Sequence, residues 1–273
     1  MIIKVEQTES NLKSKFEIRV NNVLKYFAGS PWMKIDVPLD VDEVRRCIIT
    51  DLNENICYAT SYNVGENVAN DAIPMKWAIT GSQKTSIYKV IDKENNLCGK
   101  FYRLINGIID TKYVIEYNDE TFICYSKSVG KTRNIFVYKD DVQVAEIVKP
   151  LSTVNNLDNY YIYLLDNYSY LETIISFFTI YFDYKNYANS GEIVKGKTEV
   201  GFSYTYDKNN KFYDKNWISN NFNKEDVQLI NQNIVKSRDE NMEEIKKQAK
   251  IILAIFAAGW LLIFIILGIV HLL

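Results

Sequence analysis

The feature that most constrains the fold is a repeated unit in which an apolar strand, a turn rich in Asp and Asn, and a second apolar strand follow one another. The unit occurs at residues 47–59, 87–102, 113–125 and 134–148. β-Branched and aromatic residues favour strands, whereas Asp and Asn favour tight turns. The pattern therefore predicts a series of antiparallel hairpins.

Further strand patterns lie at residues 2–6, 16–20, 23–27 and 160–165. Together they give about a dozen strands joined mostly by hairpins. An antiparallel sheet of that size has to close or split, because exposed edges are prone to pair with other chains. We therefore predict a mainly β fold built on a closed antiparallel barrel of about 12 strands.

The hydrophobic pattern changes at residues 168–187. Between Leu171 and Phe182 the only charged residue is Glu172. The run is too short to cross a bilayer, and a helix that is apolar on nearly all faces has to be buried on nearly all faces. The inside of a closed sheet offers that environment, so we predict a central helix at about 168–187 in a domain spanning 1–188.

This combination resembles the tubby C-terminal-like superfamily, which includes tubby, the phospholipid scramblases and the plant LURP-one-related proteins. The resemblance rests on turn phrases such as Tyr88-Lys-Val-Ile-Asp-Lys-Glu-Asn-Asn-Leu97, followed by one very apolar helix. It covers residues 1–188 and implies a barrel of roughly twelve strands threaded by its last helix. It carries no catalytic signature.

The stretch 251–270 is uncharged and almost entirely apolar, a departure from tubby. At ~1.5 Å per residue such a helix is about 30 Å long, the thickness of a bilayer core. Lysines precede the stretch and no Lys or Arg follows it, so the positive-inside rule places the N-terminal domain in the cytoplasm. We predict a single-pass, tail-anchored protein. The heavy use of Asn, Lys, Ile and Tyr suggests an AT-rich genome, and we expect a bacterial cell membrane.

Between the barrel and this membrane anchor we predict a connecting segment at 189–222 and a helical stem at 223–250. Asn223 is a plausible N-cap, and Val227, Ile230 and Ile234 follow at helical spacing. The face becomes polar from Lys236 onward. The pattern indicates a helix that packs early and is solvated later, and a homodimeric coiled coil remains an alternative.

Few residues offer catalytic chemistry. The sole histidine, His271, lies in the apolar tail, so no nucleophile–histidine pair is available. Cys47, Cys57, Cys98 and Cys124 form no C-x-x-C pair, so the sequence predicts free thiols and neither a metal nor a cofactor. A disulfide between Cys98 and Cys124 stays open. An enzymatic activity is not predicted, although it is not excluded.

One literal motif is present at Gly191–Thr198, which fits the phosphate-binding pattern G-x-x-x-x-G-K-[ST]. That mechanism needs a strand before the loop and a helix after it. Here a helix precedes the motif and a strand-like pattern follows it. Nucleotide binding is therefore not predicted, and whether the match is more than chance stays open.

The net charge of −2 excludes the basic footprint of a nucleic-acid-binding domain. A small basic cluster is expected in the connection between two strands. Because tubby binds phosphoinositide head groups through Lys and Arg, the resemblance implies anionic lipid as a ligand. Lysines beside the membrane anchor would add ~1 kcal/mol each near anionic head groups. The candidate residues for head groups are Lys127, Lys131, Arg133, Lys246, Lys247 and Lys250.

The sequence thus predicts a non-enzymatic, membrane-tethered cytoplasmic module that binds anionic lipid head groups or a protein partner. A scramblase-like lipid-handling protein or another enzyme is the first alternative. A dimeric membrane scaffold is the second, with the stem as its interface.

Overall fold

The structure is a computed structural model that describes residues 1–10, 14–30, 43–71, 76–107, 111–130, 132–151, 157–187 and 211–235. Within these ranges the chain is mainly β, and every strand pairs antiparallel with its neighbours along the chain. The strands are β1 Ile2–Ser10, β2 Ser14–Val20, β3 Val23–Ser30, β4 Glu43–Asp51, β5 Ile56–Asn63, β6 Gln83–Ile91, β7 Leu97–Ile105, β8 Thr111–Tyr117, β9 Glu120–Val129, β10 Thr132–Lys139, β11 Val142–Pro150 and β12 Asn159–Leu164.

The sheet closes because β1 pairs with β12, from Ile2 opposite Tyr163 to Glu6 opposite Asn159. This confirms the predicted closed antiparallel barrel of 12 strands. Closure leaves no edge strand among these twelve, which removes the row of unpaired main-chain groups that an open sheet would expose.

One end of the barrel, which we call the turn end, carries five short hairpin turns, those between β2 and β3, β4 and β5, β6 and β7, β8 and β9, and β10 and β11. In two of them, an Asp side chain accepts hydrogen bonds from main-chain N–H groups of its own loop. The Oδ1 atom of Asp51 accepts main-chain N–H bonds from Asn53 and Asn55, and Asp92 does the same for the loop at 92–96. Hydrogen bonds from the side-chain amides of Asn55 and Asn96, together with these main-chain bonds, hold the pKa of Asp51 and Asp92 below the ordinary value. The predicted Asp/Asn turns are confirmed, and their chemistry is local.

The apolar run after β12 folds as a 3₁₀ helix, Asp166–Leu171, followed by the α-helix α3, Glu172–Asn186. We expected one α-helix from about 168. The residues before Glu172 instead form the tighter 3₁₀ helix, in which Tyr168 has a non-helical φ of −112°. Every residue of α3 from Ile174 to Asp183 is buried.

Helix α3 lies inside the barrel, because its side chains contact strands around the whole circumference. Its first residue, Glu172, accepts hydrogen bonds from Lys25 and Tyr26 on β3. Aromatic rings on four further strands pack against it. These ring pairs are Tyr58–Phe177, Tyr88–Tyr181, Phe101–Phe177 and Tyr113–Phe182, with centroid separations of 5.2 to 6.4 Å. The predicted central helix is confirmed.

The opposite end, which we call the helix-exit end, carries the remaining connections between consecutive strands and the C-terminal end of α3. The connection from β5 to β6 contains two short helices that the sequence did not reveal, α1 Val64–Asp71 and α2 Trp77–Thr80. The buried Asn67 on α1 fixes this connection, since its side-chain amide bonds both N–H and C=O of Ile87 on β6.

Residues 211–222 form an outer strap that crosses the outside of the barrel. Phe212 stacks on Tyr125 of β9 with 3.6 Å between ring centroids. The strap ends in the short helix α4, Trp217–Asn221, whose Trp217 is buried in an apolar cluster with Tyr161 and Tyr163 of β12. The strap therefore covers an aromatic outer surface that would otherwise face solvent.

The chain continues as a helical segment at 224–235. Asn223 Oδ1 accepts the N–H of Glu225 at 3.0 Å, which confirms the predicted N-cap. Ile230 is buried against the barrel, and Val227 and Ile234 pack beside it, so the predicted early packing is confirmed. No helix in the described ranges has the length and apolar character to cross a membrane. Residues 251–270 lie outside those ranges.

Candidate functional site

In the part of the chain that the structure describes, aromatic rings from the strands pack against the rings of α3 and surround the helix inside the barrel. Among the described residues, no cluster of three or more His, Cys, Asp and Glu side chains could hold a metal ion. All four cysteines are free thiols, so the open Cys98–Cys124 pairing is not formed, and burial raises the pKa of Cys124. Binding is therefore sought on the outside of the barrel.

A polar cluster lies inside the helix-exit end. Lys149 Nζ is 2.8 Å from Asp158 Oδ1, and both side chains are almost fully buried. The same Nζ lies 4.2 Å from the ring centroid of Tyr187, just beyond α3. Nearby, the Tyr160 hydroxyl donates to Asp183 Oδ1 at 2.5 Å. Burial, with Asp183 adding to it, raises the pKa of Tyr160 well above its ordinary value. These bonds tie β11, β12 and α3 together.

The predicted head-group residues Lys127 and Arg133 are not brought into one site. The expectation that they lie in a connection between strands was wrong, because β9 continues to Val129 and β10 begins at Thr132. Lys127 is on the outer surface, with Nζ 4.7 Å from the ring centroid of Tyr213 in the strap. Arg133 shares the inward face of β10 with Ile135 and Val137, two members of the core.

The other predicted head-group residues, Lys131, Lys246, Lys247 and Lys250, lie outside the described residues. The same holds for the motif at 191–198. For these positions the expectations from the sequence stand as predictions.

A buried carboxyl lies beneath the strap. Glu146 on the outer face of β11 is only 2% exposed. It accepts hydrogen bonds from Asn134 at 2.6 Å and Gln143 at 3.2 Å, and Asp214 of the strap adds a second carboxylate nearby. Burial raises the pKa of Glu146 to about 7, with a smaller contribution from Asp214. The phenols of Tyr138, Tyr163 and Tyr213 also interact electrostatically with Glu146.

We expect Glu146 to make stability fall as the pH rises. A carboxyl with a raised pKa in the folded state contributes most stability when protonated, and that contribution is lost between about pH 4.5 and 7. The size is on the order of 3 kcal/mol. In urea unfolding at pH 5 and pH 8, Glu146→Gln should gain stability relative to wild type at the higher pH. Glu120→Gln is the control, because Lys139 lowers the pKa of Glu120. Equal pH dependence of wild type and Glu146→Gln would contradict the assignment.

The candidate site is a cleft of about 730 Å³ between the outside of the barrel and the helical segment 224–235. Its volume lies in the range of small-molecule sites, about 300–1,000 Å³. Strands β1, β2 and β12, the 3₁₀ helix and the end of α4 form its other walls. The lining residues that matter below are Ile2, Lys4, Arg19, Asn21, Asn22, Leu165, Asn167, Asn221, Phe222, Asn223, Asp226, Leu229, Ile230 and Asn233.

Six of these residues are asparagines. In three of them, one of the two polar atoms of the side-chain amide already has a hydrogen bond within the protein. Asn21 Oδ1 accepts the N–H of Ile2, Asn223 Oδ1 accepts that of Glu225, and Asn221 Nδ2 donates to the carbonyl of Trp217. No hydrogen bond is present for the side chains of the other three within the described part of the chain. These are Asn22, Asn167 and Asn233.

The cations at the cleft are already paired with carboxylates. The N-terminal ammonium of Met1 lies 2.7 Å from Asp166 Oδ1, and both residues line the cleft. Lys4 Nζ lies 2.8 Å from Glu6, and Arg19 lies 3.4 Å from Glu6 and 2.6 Å from Glu17. Asp226 adds a negative charge to the lining. An anionic ligand would therefore have to compete with three carboxylates for these cations.

No family model, curated protein or solved structure matches the chain. The site is therefore interpreted from its own geometry. The sequence pattern did not single out the cleft, because its asparagines come from three separate stretches. Pairing of β1 with β2 and β12 brings together the first two, and packing of the chain after Asp214 on the barrel adds the third. The one local signal was the apolar spacing of Val227, Ile230 and Ile234, which indicated packing of the helical segment.

Proposed function

We propose that the chain is a non-enzymatic binding module tethered to a membrane by residues 251–270, with its barrel on the cytoplasmic side. The observation that carries the proposal is the filled interior. Because α3 occupies the lumen and the described residues contain no cluster that could hold a metal ion, we look for function on the external surfaces. The external site that we consider is the cleft beside the helical segment 224–235.

We further propose that the domain belongs to the tubby-like barrels. A closed barrel of twelve antiparallel strands around a buried apolar helix supports this proposal. The anionic-lipid contact is best assigned to Lys246, Lys247 and Lys250, which directly precede the apolar stretch. Lys127 and Arg133 support it less, since they lie on opposite faces of the barrel wall.

Carbonate extraction of membranes tests the tether. The full chain should stay with the membrane fraction, because about 20 apolar residues provide effectively irreversible insertion. A variant that stops after Lys250 should be released into the soluble fraction. Release of the full chain, or retention of the shortened variant under carbonate, would contradict a tether at 251–270.

Vesicle flotation of the variant that stops after Lys250 tests the lysines. We expect binding to vesicles that contain phosphatidylserine and none to phosphatidylcholine vesicles. Changing Lys246, Lys247 and Lys250 to Gln should weaken binding about 100-fold, since each lysine contributes ~1 kcal/mol. Lys15→Gln is the control, because Lys15 is an exposed lysine on the barrel paired with Glu9. Unchanged binding of the triple variant would refute this assignment.

A further inference from the structure

We propose that the cleft binds an uncharged sugar, either as a free oligosaccharide or as the head group of a glycolipid. This deepens the proposed function by naming a ligand class for the external site. It does not depend on the tether, because the cleft is formed by residues 1–235 alone. Three properties of the lining support it.

The first property is the supply of neutral hydrogen-bonding groups. A side-chain amide presents donors and an acceptor in one plane, so it can serve the neighbouring hydroxyls of a sugar, each of which both donates and accepts. Asn167 and Asn233 approach the cleft from the 3₁₀ helix and from the helical segment, respectively. Neither side chain has a hydrogen-bond partner within the described residues, so a ligand can bond to them without breaking an internal bond.

The second property is the charge balance. Lys4 and Arg19 are held by Glu6 and Glu17, and Asp226 faces the cleft as well. A phosphate or carboxylate would meet this carboxylate and would have to displace existing ion pairs. An uncharged ligand avoids both costs. This separates the cleft from the lysines that we assign to anionic lipid.

The third property is an apolar floor beneath the amides. Ile2, Leu165, Phe222 and Ile230 contribute to one apolar cluster, and Leu229 is 55% exposed at the cleft. Sugar rings carry apolar C–H faces between polar edges, so they match a floor of this kind under a polar rim. An extended peptide would bind less favourably at this site. The twelve strands leave no edge at which its main chain could pair.

The test uses the purified full chain in detergent and isothermal titration with maltotriose and with chitotriose. We expect binding of at least one, with a dissociation constant of about 1 mM or tighter. Asn167→Ala combined with Asn233→Ala should weaken it about tenfold, as expected for the loss of two neutral hydrogen bonds. The control is Asn53→Ala in the turn at 51–55, remote from the cleft, which should bind like wild type.

Hydrogen exchange of the full chain in vesicles distinguishes the two sources of sugar. One result would identify the glycolipid head group as the ligand. In that case residues 221–233 are protected in vesicles that contain diglucosyl diacylglycerol, relative to vesicles of pure phosphatidylcholine. Binding of soluble trisaccharides without this protection would assign a free saccharide. The proposal is overturned if neither sugar binds and the glycolipid gives no protection, or if phosphatidylserine vesicles protect the same residues. These outcomes leave the carbonate extraction result unaffected.

Discussion

Replacing Lys149 with alanine is expected to lower the free energy of unfolding by about 3–5 kcal/mol. Lys149 and Asp158 form an ion pair at 2.8 Å with both side chains at most 2% exposed. Removing the ammonium leaves the Asp158 carboxylate buried without its cation, close to the phenol of Tyr160. The loss should appear as a lower midpoint in urea unfolding followed by circular dichroism.

Two comparisons make this prediction specific. Lys15→Ala breaks the exposed pair with Glu9, whose side chains are 60% and 45% exposed, and should cost no more than about 1 kcal/mol. Changing Lys149 to Met together with Asp158 to Asn removes both charges and should recover most of the loss. If the double variant is as unstable as Lys149→Ala, the cost comes from packing and not from an uncompensated charge.

Replacing Gly99 with alanine is expected to lower the free energy of unfolding by about 3 kcal/mol or more. A Cβ atom added to Gly99 on β7 would lie 2.0 Å from the main-chain oxygen of Glu116 on β8. That oxygen belongs to the sheet, so the clash can be relieved only by separating the paired strands. Differential scanning calorimetry of Gly99→Ala should show a clear decrease in melting temperature.

The matched control is Gly65→Ala on α1. A Cβ there meets its nearest neighbour, the Asn63 side chain, at an ordinary 3.5 Å. Alanine also favours helix by up to about 1 kcal/mol relative to glycine, so this variant should be neutral or slightly stabilised. Equal melting temperatures for Gly99→Ala and wild type would mean that β7 and β8 are farther apart at this point than described.

The two positions show that the two ends of the barrel are held together differently, since Lys149 lies at the helix-exit end and Gly99 at the turn end. Lys149 connects the ends of β11 and β12 to the residues just after α3 by charge and ring contacts. Gly99 acts by having no side chain, which allows the close approach of β7 and β8. The role of Lys149 could be suspected from the sequence, because it is a lysine in an apolar strand. The role of Gly99 could not, since glycine in a strand has several explanations.

The hairpins were predictable because their signals are local. Alternation of apolar residues and Asp/Asn turn chemistry depend on a few neighbouring residues. The bonds that Asp51 and Asp92 accept from main-chain N–H groups of their own loops show this. The central helix was predictable for a related reason. A helix apolar on nearly every face needs a complete apolar enclosure, and a closed sheet provides one.

The sequence did not predict on which face of the barrel wall Lys127 and Arg133 lie. Residues at these positions take opposite faces of a barrel wall according to strand register, and a one-residue difference in strand boundary reverses the assignment. Helices α1 and α2 were missed because short helices carry too few residues for a clear period. The strap was missed because its aromatic residues show no period, and their partners on the barrel lie more than about 50 residues away in the chain.

The sequence by itself determined the twelve strands, their tight turns, the buried helix and the first turn of the segment at 224–235, because propensity, capping and periodicity act over short distances. Only the tertiary structure decided that β1 closes on β12, that Lys149 meets Asp158, that the strap covers Glu146, and that asparagines from residues 21 to 233 line one cleft. These contacts join residues far apart in the chain. They depend on register, closure and burial, which are properties of the folded barrel as a whole.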